Sequence, residues 1–104
     1  MADSGLMHLN EELTDVIRGR TIELVSKEEG RVTFMFDDHS RLEIKTVGGP
    51  TMNMLGEGRI EGVGEDGSDL TLFGEGDRAA VLRLAVPGSS IVVRNQNGEV
   101  EYSG

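Results

Sequence analysis

The chain has no cysteine and no tryptophan, two prolines, three phenylalanines and one tyrosine. Without cysteine, disulfides, zinc–thiolate sites and thiol catalysis are all excluded. A small domain that does not use disulfides gains nothing from an oxidising compartment, so cytoplasmic residence is the expectation. No apolar run approaches the roughly 20 residues needed to cross a bilayer as a helix. The opening MADSGLMHLNEE has neither the basic nor the apolar region of a signal peptide. Bases are scarce too: ten against nineteen acids, a formal net charge of -9. Residues 1–52 hold six bases and ten acids and residues 53–104 hold four and nine, so the acidity is spread along the chain. Such a surface repels phosphate backbones, which argues against nucleic-acid binding; it favours solubility or docking on a basic partner.

With 104 residues, 37% hydrophobic and 28% charged, the chain suits one soluble globular domain. Leu6, Leu9, Leu13, Val16 and Ile17 follow a 3.6-residue period, which predicts a helix over 5–18. Ser4 or Asn10 can cap its start, and Gly19 can stop it. Beyond Gly19 the period becomes two and stays there. Residues 19–47 read as a three-stranded meander (RTIELVS, RVTFMF, RLEIKT), with Ile22 and Leu24 on one face and Val25 on the other. Residues 48–57 read as a glycine-rich connector, 58–86 as a second meander and 89–103 as a C-terminal hairpin. Asn97-Gly98 is a type I′ turn signal there, with Gln96 beside it able to lengthen the loop.

The two meanders look like copies. A shift of 38 sets Ile22 on Ile60, Val32 on Leu70, Thr33 on Thr71 and Phe34 on Leu72. Two extra residues in the second turn then bring Leu42 and Ile44 onto Leu82 and Leu84. The fold class expected is mainly β: a short helix, then about eight antiparallel strands as a curved sheet, a sandwich or a small barrel. A short helix leading into GRTIELV also resembles the start of an Sm-like chain over residues 9 to 25. The likeness ends there, because an extra meander and an acidic surface follow; nothing of that family's function is carried over.

Candidate sites are few. Asp37-Asp38-His39 offers two carboxylates and an imidazole, which suit a divalent metal or proton transfer. Neighbouring strand residues point to opposite faces, however, and these residue types also suit a hairpin turn, which is the preferred reading. Glu65 to Asp69 has alternating oxygens but lacks the ligand spacing of a calcium loop. The scattered Gly-x-Gly pairs open no helix and so make no phosphate loop. His8 falls beside the helix stripe, and Ser89-Ser90 has no histidine near it in sequence. No catalytic, cofactor or metal residue is assigned. The second face of the middle strands is more telling. Met35 and Phe73 point away from the predicted core, and Met52, Met54 and Leu55 sit together in the connector. These five are the expected interaction surface of a non-catalytic module that forms a homodimer or larger homo-oligomer, or binds another protein. The alternative is a small-ligand-binding domain using a barrel mouth or the Met-rich connector.

Overall fold

The computed structural model describes residues 8–48, 51–52, 58–76 and 78–104. Among these residues ten strands and one helix follow each other as β1 (His8–Leu9), α1 (Glu11–Ile17), β2 (Thr21–Glu28), β3 (Arg31–Phe36), β4 (Arg41–Lys45), β5 (Thr51–Met52), β6 (Gly58–Asp66), β7 (Asp69–Gly74), β8 (Ala79–Arg83), β9 (Ile91–Arg94) and β10 (Val100–Ser103). Eight of the ten strands have four or more residues; β1 and β5 have two each. The fold is mainly β, and every pairing is antiparallel. The sheet order is β10-β9-β4-β3-β2-β6-β7-β8-β5, with β1 added to β6. The sheet folds back on itself without closing into a barrel.

The helix is shorter than its period predicted. Asn10 has extended backbone and caps the first turn by accepting the Leu13 N–H at 3.0 Å, with Glu11 and Glu12 suited to the positive helix end. His8 and Leu9 are strand, not helix, because they pair with Glu65 and Gly64 on β6; residues 5–7 lie outside the described residues. Leu13 and Ile17 are fully buried. The buried Thr14 hydroxyl accepts the Val63 N–H at 3.0 Å and donates to the Val63 carbonyl at 3.4 Å. The helix thus closes one stretch of the β6 edge instead of covering the outside of a meander. Gly19, with φ of 89°, ends it.

The internal repeat is visible in the hydrogen-bonded registers. Ile22↔Phe36 and Val25↔Phe34 in the first meander become Ile60↔Gly74 and Val63↔Leu72 in the second, every number 38 higher. The same offset holds for the third strands, where Val32↔Ile44 and Phe34↔Leu42 match Leu70↔Leu82 and Leu72↔Ala80. Leu42 therefore corresponds to Ala80 and Ile44 to Leu82. The two extra residues inferred from matching leucines are not there; leucine identity had outweighed register. Even the bulge is repeated, between Ile22 and Leu24 and between Ile60 and Gly62. It corrects the alternation expected of RTIELVS. The extra residue turns Leu24 outward and swings Val25 in against the core.

The meanders meet face to face, joined at two seams between equivalent positions. Thr21 pairs with Arg59 at one, and Thr46 bridges Leu84 at the other. The second seam is flanked by a symmetric pair of bonds, Val47 N–H to the Arg83 carbonyl and Ala85 N–H to the Lys45 carbonyl, both 3.0 Å. The segment after each meander crosses to the other: β5 pairs β8, so the predicted connector contains a short strand, while β9 pairs β4. Inner faces, helix and hairpin share one core that includes Phe34, Phe36, Leu42, Ile44, Ile60, Leu70, Leu72 and Leu82. The hairpin turn is not type I′. Asn95 accepts the Asn97 and Glu99 N–H groups on its side chain, and only Gly98 is left-handed, at φ of 83°. Gln96 lengthens the loop.

Glycines give a contrasting pair of expected outcomes. Gly30 has φ of 80°, whereas Gly62 lacks positive φ, and a Cβ there would meet only Leu9 Cδ1, at 3.9 Å. Gly62→Ala should therefore raise stability by about 0.4–1 kcal/mol through the unfolded chain, and Gly30→Ala should lower it by about 1–2 kcal/mol. Urea unfolding monitored by circular dichroism checks both. Phe34→Ala, at the centre of the core, should cost about 3–5 kcal/mol in the same assay.

Candidate functional site

Asp37, Asp38 and His39 form the tight turn between β3 and β4. The Phe36 N–H donates to the Ser40 carbonyl at 2.9 Å, and the His39 N–H donates to the Phe36 carbonyl at 3.0 Å. His39 is the one non-glycine residue with positive φ, 70°, among the described residues, a conformation histidine tolerates better than most side chains. Asp37 gives its N–H to the Thr21 carbonyl at 3.0 Å, tying the turn to the start of β2. The Asp38 carboxylate accepts the Ser40 N–H at 2.9 Å and also the Ser40 hydroxyl. All three residues are exposed, and each has a role in closing the hairpin.

Arg20 organises the surface beside this turn. Its guanidinium grips Glu101 on β10 through two bonds of 2.9 and 3.1 Å, donates to the Ser40 hydroxyl at 2.9 Å and lies 3.9 Å from Asp38. Arg20, Asp38, Ser40, Asn95, Gln96 and Glu101 line an open recess of about 390 Å³. A second recess of about 440 Å³, at the equivalent end of the other meander, is lined by Thr21, Gly58, Arg59, Glu75 and Arg78. A third, of about 560 Å³, lies between Glu28–Arg31 and Lys45, Thr46 and Ala85. All three are shallow and polar. Among the described residues no three His, Asp or Glu side chains are grouped to hold a metal. Buried side-chain polar atoms are all hydrogen-bonded among the described residues, so none is left aimed into a recess.

Two carboxylates are perturbed. Burial raises the Asp38 pKa, but the two Ser40 hydrogen bonds and the Arg20 charge outweigh it and hold the group below its ordinary 3.8. On the outward face of β4, burial likewise raises Glu43, and Arg41 at 2.7 Å and Arg94 at 3.5 Å pull it below 4.5.

The expected interaction residues are distributed differently from the turn. Met35 and Phe73 hold equivalent places, 38 apart, and are 40% and 39% exposed. They are not brought together; each stands on the middle strand of its own meander's outward face, in the row next to the turn that follows that strand. Leu24, 54% exposed, is directly opposite Met35. Val81, 38% exposed, stands opposite Thr71 and so diagonal to Phe73, and Leu9, 59% exposed, lies over Gly62, the β6 partner of Phe73. Met52 contributes backbone to β5, while Met54 and Leu55 lie outside the described residues. Leu24, Leu9 and Val81 were missed. Only a signal for the bulge would have moved Leu24 outward, and Leu9 was absorbed into the helix period. No family model, curated protein or solved structure matches the chain.

Acid titration separates the turn from the core. A depressed carboxyl contributes stability that is complete above its ordinary pKa and is lost as the pH falls through the lowered one. Wild type should therefore lose more stability than Asp38→Asn as pH drops below about 3.8, and more than Glu43→Gln below about 4.5. Solvent screening keeps each difference under about 1 kcal/mol. Chemical unfolding at a series of pH values reads it.

Proposed function

We propose that the protein is a non-catalytic interaction module that associates with itself through the outward faces of its two meanders. One observation carries this reading: the repeat places an exposed, large apolar side chain, Met35 or Phe73, on the middle strand of both outward faces. Each has apolar neighbours: Leu24 opposite Met35, and Leu9 over the partner of Phe73 with Val81 diagonal to it. Contiguous exposed apolar side chains rimmed by charge are the usual mark of a protein contact. The shallow, charge-lined recesses argue for binding by surface rather than by cleft.

No helix among the described residues is long and apolar enough to cross a membrane. A cytoplasmic setting fits a chain without cysteine, and a homo-oligomer is the partner state proposed.

Sedimentation velocity over a concentration series tests the reading. Wild type should shift to larger species as concentration rises. The double variant Met35→Glu/Phe73→Glu should keep its circular dichroism spectrum and remain monomeric. A wild-type chain that stays monomeric at millimolar concentration overturns the proposal.

A further inference from the structure

The two outward faces share a large apolar residue at one position, but in the charged row at the other end of each face the middle position reverses sign, Arg31 on the first meander and Asp69 on the second. On the first meander one cross-strand row runs Glu28, Arg31, Lys45; on the second the same row is Asp66, Asp69, Arg83. Arg31 thus faces Lys45 directly as a like charge, and Asp66 faces Asp69. Opposed like charges destabilise a strand pair, so neither pair helps the isolated chain. Arg31, Lys45 and Asp66 make no ion pair among the described residues, whereas Asp69 has Arg83 at 3.3 Å. The first face has a further opposed pair, Arg41 and Arg94, with only Glu43 between them. In a chain of net charge -9, the outward strand positions of the first meander hold three bases (Arg31, Arg41, Lys45) against three acids (Glu23, Glu28, Glu43), and Arg94 of the adjoining β9 adds a fourth base. Those of the second hold two bases (Arg59, Arg83) against three acids (Glu61, Asp66, Asp69).

We infer that copies of this chain join head to tail, the base-rich outward face of the first meander and β9 of one copy seating on the acid-rich outward face of the second meander of the next. The inference rests on the self-association proposed above and adds its geometry. Pairing the first face with itself, with the strand order reversed, sets Lys45 on Glu28 but Arg31 on Arg31, and pairing the second with itself sets Asp66 on Arg83 but Asp69 on Asp69. Pairing one with the other relieves both and sets Met35 and Leu24 against Phe73, Val81 and Leu9. Charge of this kind selects the partner surface more than it adds affinity. The faces point away from the shared core on opposite sides, so a copy bound through one still offers the other. Such a contact does not close at a dimer, and the stack grows with concentration.

Two single variants of the full chain, Met35→Glu and Phe73→Glu, test this by sedimentation. Each blocks one face and leaves the other intact. Each alone should be monomeric, and their mixture should give a capped 1:1 complex, since the free Met35 face of one variant fits the free Phe73 face of the other. Wild-type mass should keep rising with concentration instead of levelling off at a dimer. If wild type associates but one single variant still dimerises and the mixture forms no 1:1 complex, self-association stands and the head-to-tail contact is overturned. If wild type never associates, both readings fall.

Discussion

A three-stranded meander with one apolar face cannot bury that face alone, and this chain solves the problem by carrying two. Val32, Phe34, Leu42 and Ile44 line the inner side of the first, and Leu70, Leu72, Ala80 and Leu82 line the equivalent positions of the second. Fully burying side chains of this kind contributes about 1.5–3 kcal/mol each, and that gain is available only when the two sheets close on one another. Direct strand pairing between the meanders is slight by comparison: two residue pairs at one seam and a single bridge at the other. The shared core therefore sets the arrangement, and the seams fix its register. The crossing of β5 to β8 and of β9 to β4 then covers a lateral edge of each meander with the segment that follows the other.

The remaining elements close what that core leaves open. At the ends, α1 fills in with Leu13 and Ile17, and the C-terminal hairpin with Ile91 and Val93. Asn10 shows how economically the parts are tied. Its side chain caps the helix, and its amide donates to Glu65 on β6 at 2.6 Å and to the Tyr102 hydroxyl on β10 at 3.2 Å. Arg20, just before β2, makes the corresponding link to β10 through Glu101. In this setting the Asp37-Asp38-His39 turn is explained by structure alone. A three-residue loop needs a left-handed residue and side chains that satisfy its own backbone, and His39, Asp38 and Ser40 supply both.

How far the fold could be read in advance follows from what kind of signal each feature leaves. Alternation exposed the strands, and the offset of 38 exposed the duplication, because both are properties of many residues at once. Asn10 was legible as a cap because its residue type has a mechanism. What stayed hidden depended on single backbone events. A bulge leaves the composition of RTIELVS unchanged while moving Leu24 from the inner to the outer side. The equality of Leu42 with Ala80 is invisible to a match that rewards leucine on leucine. Leu9 fits a helical period as well as it fits β1, and only the β6 edge decides between them. The two outward faces were anticipated at Met35 and Phe73, yet their neighbours were not, since neighbours across strands are set by register.

The repeat also separates what the core demands from what it does not. Inside, equivalent residues stay apolar: Val32 with Leu70, Phe34 with Leu72, Ile44 with Leu82. Outside, some diverge (Leu24 with Gly62, Arg31 with Asp69, Arg41 with Ala79), while others keep their character (Thr33 with Thr71, Glu28 with Asp66, Lys45 with Arg83). The Leu24 and Gly62 pair shows that the bulge itself does not require glycine; at Gly62 the space is taken by Leu9 from the neighbouring strand. Among the outward pairs that keep their character, Met35 and Phe73 are the large apolar one, with nothing in the folded core to require it. Burial within the chain cannot account for that pair, because both stand substantially in solvent. The contact proposed above would supply a constraint that keeps both apolar, and the reversal from Arg31 to Asp69 at the other end of each face would give that contact a direction.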